Sequence, residues 1–284
     1  MADLTHSHAV LYVDLLGFAD MTMTSEDTPT HVPPYETGNW QDDYGAGAPQ
    51  FWTEKSPISY RLLIFHRRLE ELLHHAARSG KIRAMLFSDG AFIVRPDVQS
   101  LSHLAREIMR TCLLQMIPVR MGLATGTFQP LKFGADTIGE VGIYTSLFYG
   151  TGVVRAHFAE RAGKGMRIFV HPSVAVQLPA GADSIVPVGF EHPNYRLLPL
   201  SGQSEHARWE LDYLFRWKGK PWTAERQSDA ATQDRALWEA AKAMKCLAPT
   251  DPEVQQQYSA TLDALNRMRV AVGRPIFVDP NSST

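Results

Sequence analysis

The chain has 284 residues, 44% hydrophobic and 20% charged, a balance that suits a soluble globular protein with one large domain or a domain and an appendage. Its 28 basic and 30 acidic side chains leave a net charge of −2, without the basic excess that a general nucleic-acid or membrane-surface role needs. Two cysteines, Cys112 and Cys246, can build neither a zinc spacing nor a disulfide framework and read as reduced thiols of a cytoplasmic protein; no signal-peptide pattern opens the chain, and no run nears the ~18 apolar residues of a membrane span.

Residues 9–16 read as a first strand, Val10-Leu11-Tyr12-Val13-Asp14-Leu15-Leu16, apolar and β-branched throughout except for one carboxylate. Residues 24–55 are rich in Pro, Gly, Thr, Asp and aromatics and read as a long irregular insertion loop. Ser56-Pro57 gives an N-cap and a first-turn proline. Leu62, Phe65, Leu69 and Leu73 then recur at helical spacing, and Ser79-Gly80 ends the helix.

A β-hairpin is expected over 82–87 and 91–95, with Ser88-Asp89-Gly90 at its turn. A second amphipathic helix runs from Ser102 to about Met116, and a glycine-broken strand spans 118–128. Residues 149–162 read as a helix and 166–170 as a short strand. The order β, α, β, β, α, β predicts an α+β protein with a ferredoxin-like, mostly antiparallel sheet and its helices on one face.

Near residue 205 the character changes. Trp209, Tyr213, Phe215, Trp217 and Trp222 cluster, and two polar-rich helices follow over 223–247 and 251–271. This divides the chain into 1–205 and 206–284, with the aromatics as the seam that docks the C-terminal helices. His74 and His75 adjoin on a helix, so their side chains point about 100° apart and do not form a metal pair.

The chemistry is concentrated in Asp14 and Asp89. A lone carboxylate in a buried strand is unfavourable, and two that meet repel unless a divalent cation lies between them. Hard oxygen ligands on rigid strands suit Mg²⁺ bound together with substrate phosphates.

Four motifs in order resemble those of the class III nucleotidyl cyclases: Asp14-Leu15-Leu16-Gly17-Phe18, Ser88-Asp89, Arg120-Met121-Gly122-Leu123-Ala124-Thr125-Gly126, and Gly150-Thr151-Gly152-Val153-Val154-Arg155-Ala156. The resemblance covers roughly residues 8–175. It implies that Asp14, Asp89 and the Leu15 carbonyl hold two Mg²⁺ or Mn²⁺ ions. It implies that the backbone N–H groups of Leu16, Gly17 and Phe18 cradle phosphates, with Arg120 beside them. It also implies a homodimer with two sites, each shared between the subunits.

The departures from the family pattern concern the base and the transition state. The two polar positions that read a purine in these enzymes fall on Met85 and Leu147, and a pocket without those handles discriminates purines poorly. The usual ribose-orienting Asn falls on Val154 and the usual Arg on Phe158, which leaves Arg155 as the candidate for transition-state charge, with Arg161 nearby. The run from Tyr144 to His157, with the long loop after the first strand, looks most like the bacterial Pycsar cyclases of antiphage defence.

That likeness implies UTP, or else CTP, as substrate, and a cyclic nucleotide that activates a separate effector. Tyr149 would fill the space a purine leaves, with Tyr60 and Tyr35 as looser candidates. Two other classes stay open: a catalytically silent nucleotide sensor, and an RNA-binding module on the same fold. The second lacks the exposed sheet aromatics and basic face that RNA recognition needs.

Overall fold

The computed structural model describes residues 7–17, 57–138, 141–177, 190–192, 195–200, 204–215 and 223–278. The insertion loop 24–55, Phe18, Tyr35, Trp217 and Trp222 lie outside the described residues. Strand β1 (His8–Leu15) is followed by helix α1 (Pro57–Ala77), the hairpin β2 (Arg83–Leu86) and β3 (Gly90–Arg95), helix α2 (Val98–Leu114) and strand β4 (Val119–Gly126). These lie in the sheet order β2-β3-β1-β4, antiparallel at every pairing, which is the ferredoxin-like arrangement. Helix α2 starts earlier than the sequence suggests. Asp97 supplies the N-cap, its Oδ1 accepting the Ser100 N–H at 2.7 Å.

A second hairpin, β5 (Gln129–Ile138) and β6 (Val141–Tyr149), forms a separate two-stranded ribbon. The sequence reading gave these residues no element. Helix α3 (Thr151–Glu160) leads to β7 (Ile168–Val170), which joins β4 in parallel. The sheet then continues through β8 (Phe190–His192), β9 (Tyr195–Pro199) and β10 (Trp209–Leu211) in the order β7-β10-β9-β8. The expected division at residue 205 therefore falls inside one eight-stranded sheet. Backbone hydrogen bonding of β10 to both β7 and β9 overrides the change of composition.

Both faces of the sheet are covered, which corrects the expectation of helices on one face. Period-two alternation along β1 sends Ala9, Leu11, Val13 and Leu15 into the main core with Phe65, Leu69 and Leu73 of α1 and Leu101, Ile108 and Met109 of α2. Val10 and Tyr12 face the other way, into a second cluster with Ala124 and with Ala156 of α3. Helix α3 approaches closely because its own contact residues, Gly152 and Ala156, are small and the strand beneath offers glycines. A Cβ on Gly122 would stand 1.9 Å from the Ala156 carbonyl oxygen, and one on Gly126 would stand 2.5 Å from the Gly152 nitrogen. The Arg-x-Gly-x-x-x-Gly spacing thus places both glycines on one face of β4, under the helix.

Helices α4 (Ala224–Leu247) and α5 (Pro252–Val270) close the main core with Leu237, Trp238, Leu265 and Met268. Buried acids tie them to the sheet and to each other. Glu210 of β10 accepts from Arg167 at 2.6 Å and from Arg267 of α5 at 2.9 Å. Asp212 pairs with Arg196, and Asp234 of α4 with Arg269 and Arg274. Removing one partner of such a pair strands a buried charge, so these networks fix how the C-terminal helices sit. Trp209, Tyr213 and Phe215 are buried, and the Tyr213 hydroxyl donates to the Met166 carbonyl at 3.3 Å.

Candidate active site

The two aspartates meet at one end of the sheet. Asp14 lies opposite Gly90 of β3 on one side and Arg120 of β4 on the other. The Leu15 N–H donates to the Asp89 carbonyl at 2.8 Å, which sets the hairpin turn against the end of β1. The turn is closed by the Phe87 N–H on the Gly90 carbonyl at 2.7 Å, and the Ser88 hydroxyl donates to Asp89 Oδ1 at 3.1 Å. From helix α1, His66 Nε2 reaches the Ser88 carbonyl at 3.0 Å.

Asp14 is half-buried on the α3 face, and the Tyr12 hydroxyl donates to its Oδ1 at 3.1 Å. Burial comes first, then the nearby Glu160 carboxylate, in pushing the Asp14 carboxyl up to about 6; Asp89 adds to the push, while Tyr12 and Arg120 oppose it. Glu160, at the end of α3, is buried and its carboxyl is also raised, by burial against the opposing pull of Arg120. Burial and the Asp14 charge raise the Tyr12 hydroxyl. His157 stands edge-on to the Tyr12 ring at 5.2 Å, its imidazole lowered by burial and by Arg161.

Three acids, Asp14, Asp89 and Glu160, therefore gather here, with Arg120 paired to Glu160 and Arg161 also acting on it. This donor set fits a divalent cation: two carboxylates and an adjacent backbone carbonyl are hard oxygens, and positive charge between Asp14 and Asp89 would relieve the field that raises Asp14. Among the described residues, no group of three or more His, Cys, Asp or Glu side chains converges as a ready-made metal cage.

Several residues singled out in the sequence lie elsewhere than expected. The Leu16 N–H donates to the Pro118 carbonyl at 2.8 Å, so it is engaged in extending the β1–β4 pairing rather than offered to phosphate. Gly17 follows with φ of 73° and open space where a side chain would be. Arg120 is locked to Glu160 at 2.5 Å and to the Gly163 carbonyl at 3.1 Å. Arg155 donates to the Thr125 carbonyl at 3.1 Å. Thr125 pairs with Ala9 whereas Arg120 pairs with Asp14, so Arg155 is anchored about 16 Å along β1 from the aspartates. Within one chain Arg155 and Asp14 do not converge.

Met85 is buried in the second cluster with Phe92 and Phe148. The strand pleat turns Leu147 outward, 51% exposed. Its neighbour Phe148 takes the inward place, 5.5 Å from the Phe92 ring and 6.2 Å from Phe87. Tyr149 is exposed at the far end of β6, opposite Gln129. Tyr12, His157 and Glu160 were not singled out from the sequence. Tyr12 could have been, since it shares the Asp14 face at a spacing of two; nothing local marks Glu160 as the partner of Arg120, 40 positions away.

Comparison with solved structures finds cyclase domains. The dimeric guanylyl cyclase domain of the RhoGC fusion protein from the aquatic fungus Blastocladiella emersonii is 14% identical, with a TM-score of 0.43 over 74% of this chain and 97% of that one. An adenylate cyclase from Trypanosoma brucei in its monomeric state is 12% identical, TM-score 0.41, over 78% and 95%. The guanylyl cyclase Cya2 is 12% identical, TM-score 0.40, over 73% and 92%. No protein-family profile and no curated protein matches the sequence. At these values the likeness carries no argument about chemistry, which rests on the site's own residues.

Proposed function

We propose that the protein is a nucleotide cyclase that converts a pyrimidine ribonucleoside triphosphate, UTP before CTP, to its 3′,5′-cyclic monophosphate and pyrophosphate. The observation that carries this reading is the meeting of Asp14 and Asp89 on adjacent strand ends, in an acidic cluster with Glu160. Asp14, Asp89 and the Leu15 carbonyl would hold two Mg²⁺ or Mn²⁺ ions. When bound, such ions supply the acidity that activates the ribose 3′-hydroxyl and the charge that lets pyrophosphate leave.

The chain's own residues do the rest. Tyr12 holds the Asp14 carboxylate in place through its hydroxyl. Met85, Phe92 and Phe148 pack into an apolar, aromatic cluster that carries none of the polar groups that would read a purine edge. Arg155 is anchored far from the aspartates of its own chain, so any contribution to transition-state charge comes from a second copy, in a homodimer with two shared sites. The exposed apolar residues Leu147, Tyr149, Val154 and Phe158 suit such a contact. The role we infer is that of antiphage defence, with the cyclic nucleotide acting on a separate effector. No helix among the described residues is long and apolar enough to cross a membrane.

One observation favours a second reading, a catalytically silent nucleotide sensor: Arg120 and Arg155 both have intramolecular partners. Incubation with each of the four ribonucleoside triphosphates and Mn²⁺, followed by separation of products, distinguishes the readings. Cyclic UMP or cyclic CMP is the expected product. Cyclic AMP or GMP would overturn the base assignment but keep the metal site, and triphosphate binding without any product would favour the sensor.

A further inference from the structure

Asp89 sits on a turn, and turns are among the less rigid parts of a fold. A carboxylate that must share a cation with Asp14 needs that turn fixed. One set of hydrogen bonds links it to helix α1 and to the carboxylate through Ser88. The Ser88 carbonyl can only accept, so His66 Nε2 is the donor across the 3.0 Å contact. That bond leaves Nδ1 without the proton in the neutral ring. Ser88 in turn donates its hydroxyl to Asp89 Oδ1 at 3.1 Å. The other face of the turn is held by the Leu15 N–H on the Asp89 carbonyl.

His66 is carried by the best-packed part of α1. Its neighbour Phe65 is fully buried and its ring stands edge-on to the imidazole at 5.2 Å. Leu69, one turn on, is also in the core. The helix thus offers a rigid mount for the imidazole, while the hairpin alone offers Asp89 only its own short turn.

We propose that His66 and Ser88 are positioning residues that aim the Asp89 carboxylate at the cation shared with Asp14. The assignment rests on the reading of Asp14 and Asp89 as metal ligands. Outer partners of this kind typically change metal affinity by roughly 10- to 100-fold when removed. Their influence would appear in metal binding itself, before any chemistry.

The test is Mn²⁺ binding to the whole protein, followed by electron paramagnetic resonance of the free ion, with thermal unfolding of each variant recorded in EDTA. The variants are His66→Leu, His66→Gln, Ser88→Ala and, as the control for the site, Asp14→Asn. Gln keeps an N–H donor of similar reach; Leu does not. The expected result is a roughly 10-fold weaker affinity for His66→Leu and a loss in the same direction for Ser88→Ala. His66→Gln stays within about 2-fold of the wild type, and unfolding midpoints hold for Ser88→Ala and His66→Gln. Wild-type affinity in both His66→Leu and Ser88→Ala would overturn the proposal. So would equal loss in His66→Leu and His66→Gln, which would mean that ring packing rather than the hydrogen bond matters. If Asp14→Asn binds Mn²⁺ as well as the wild type does, the metal site itself is wrong and the positioning role falls with it.

Discussion

Replacing Asp14 with Asn should make the metal-free protein more stable while removing its cation site. In the folded chain the Asp14 carboxyl is raised from its ordinary 3.8 to about 6, first by burial and then by Glu160. Holding it ionised at neutral pH therefore opposes folding by up to about 3 kcal/mol. Asp14 is only half-buried, and solvent screening brings the expected effect to about 1–2 kcal/mol. Asn keeps an oxygen for the Tyr12 hydroxyl, so the hydrogen bond at 3.1 Å survives.

The sign follows from proton binding. Between pH 3.8 and about 6 the folded state holds the Asp14 proton more tightly than the unfolded state does, so wild-type stability falls as pH rises through that window and stays reduced above it. Asn does not titrate. The Asp14→Asn protein should therefore melt about 2–8 °C higher than wild type at pH 7.5 in EDTA. The advantage should shrink as pH drops through about 6 and vanish near pH 4. Scanning calorimetry across this range is the assay, with Mn²⁺ added in a parallel series. An equal or lower midpoint for the variant at pH 7.5 would refute the claim that the site's charge is uncompensated without a cation.

Gly122→Ala should lower stability by about 2–3 kcal/mol in urea denaturation, because its Cβ would stand 1.9 Å from the Ala156 backbone carbonyl and α3 would have to lift off β4. Arg120→Ala should cost about 3 kcal/mol by leaving buried Glu160 unpaired. The double variant Arg120→Ala/Glu160→Gln should recover much of that loss, and equal destabilisation of single and double variants would show that the pair is not the cause. His171 is lowered to about 4, first by burial and then by Arg155, and its Nδ1 accepts the Ser173 N–H at 3.0 Å. The unfolded chain takes up this proton first as pH falls from 6.5 towards 4, so wild-type stability should drop across that window. His171→Asn should flatten the decline, as read from urea midpoints at successive pH values.

Much of the fold was legible locally. Strand β1, the β2–β3 hairpin, α1 and the two C-terminal helices follow from alternation, helical spacing and caps, all of which act over a few residues. The carboxylates were legible too, since an acid inside an apolar strand and an acid at a hairpin turn both stand out. The β5–β6 ribbon was not legible: only pairing of the two segments with each other makes them strands.

The remaining decisions were tertiary. Which face of the sheet α3 covers depends on Gly122 and Gly126 lying together under Ala156 and Gly152, a fit between segments some 30 residues apart. Whether Leu147 or Phe148 faces Phe92 is decided by the pleat of a paired strand, where a shift of one residue exchanges the faces. The pairing of Arg120 with Glu160, rather than with anything near it in sequence, follows from where α3 ends. Sequence alone determined strand β1, the β2–β3 hairpin, α1, the C-terminal helices and the acids at Asp14 and Asp89, because those signals are short-range. The charge environment of the acids was decided only by packing, because burial and Coulomb interactions depend on distance in space and not along the chain.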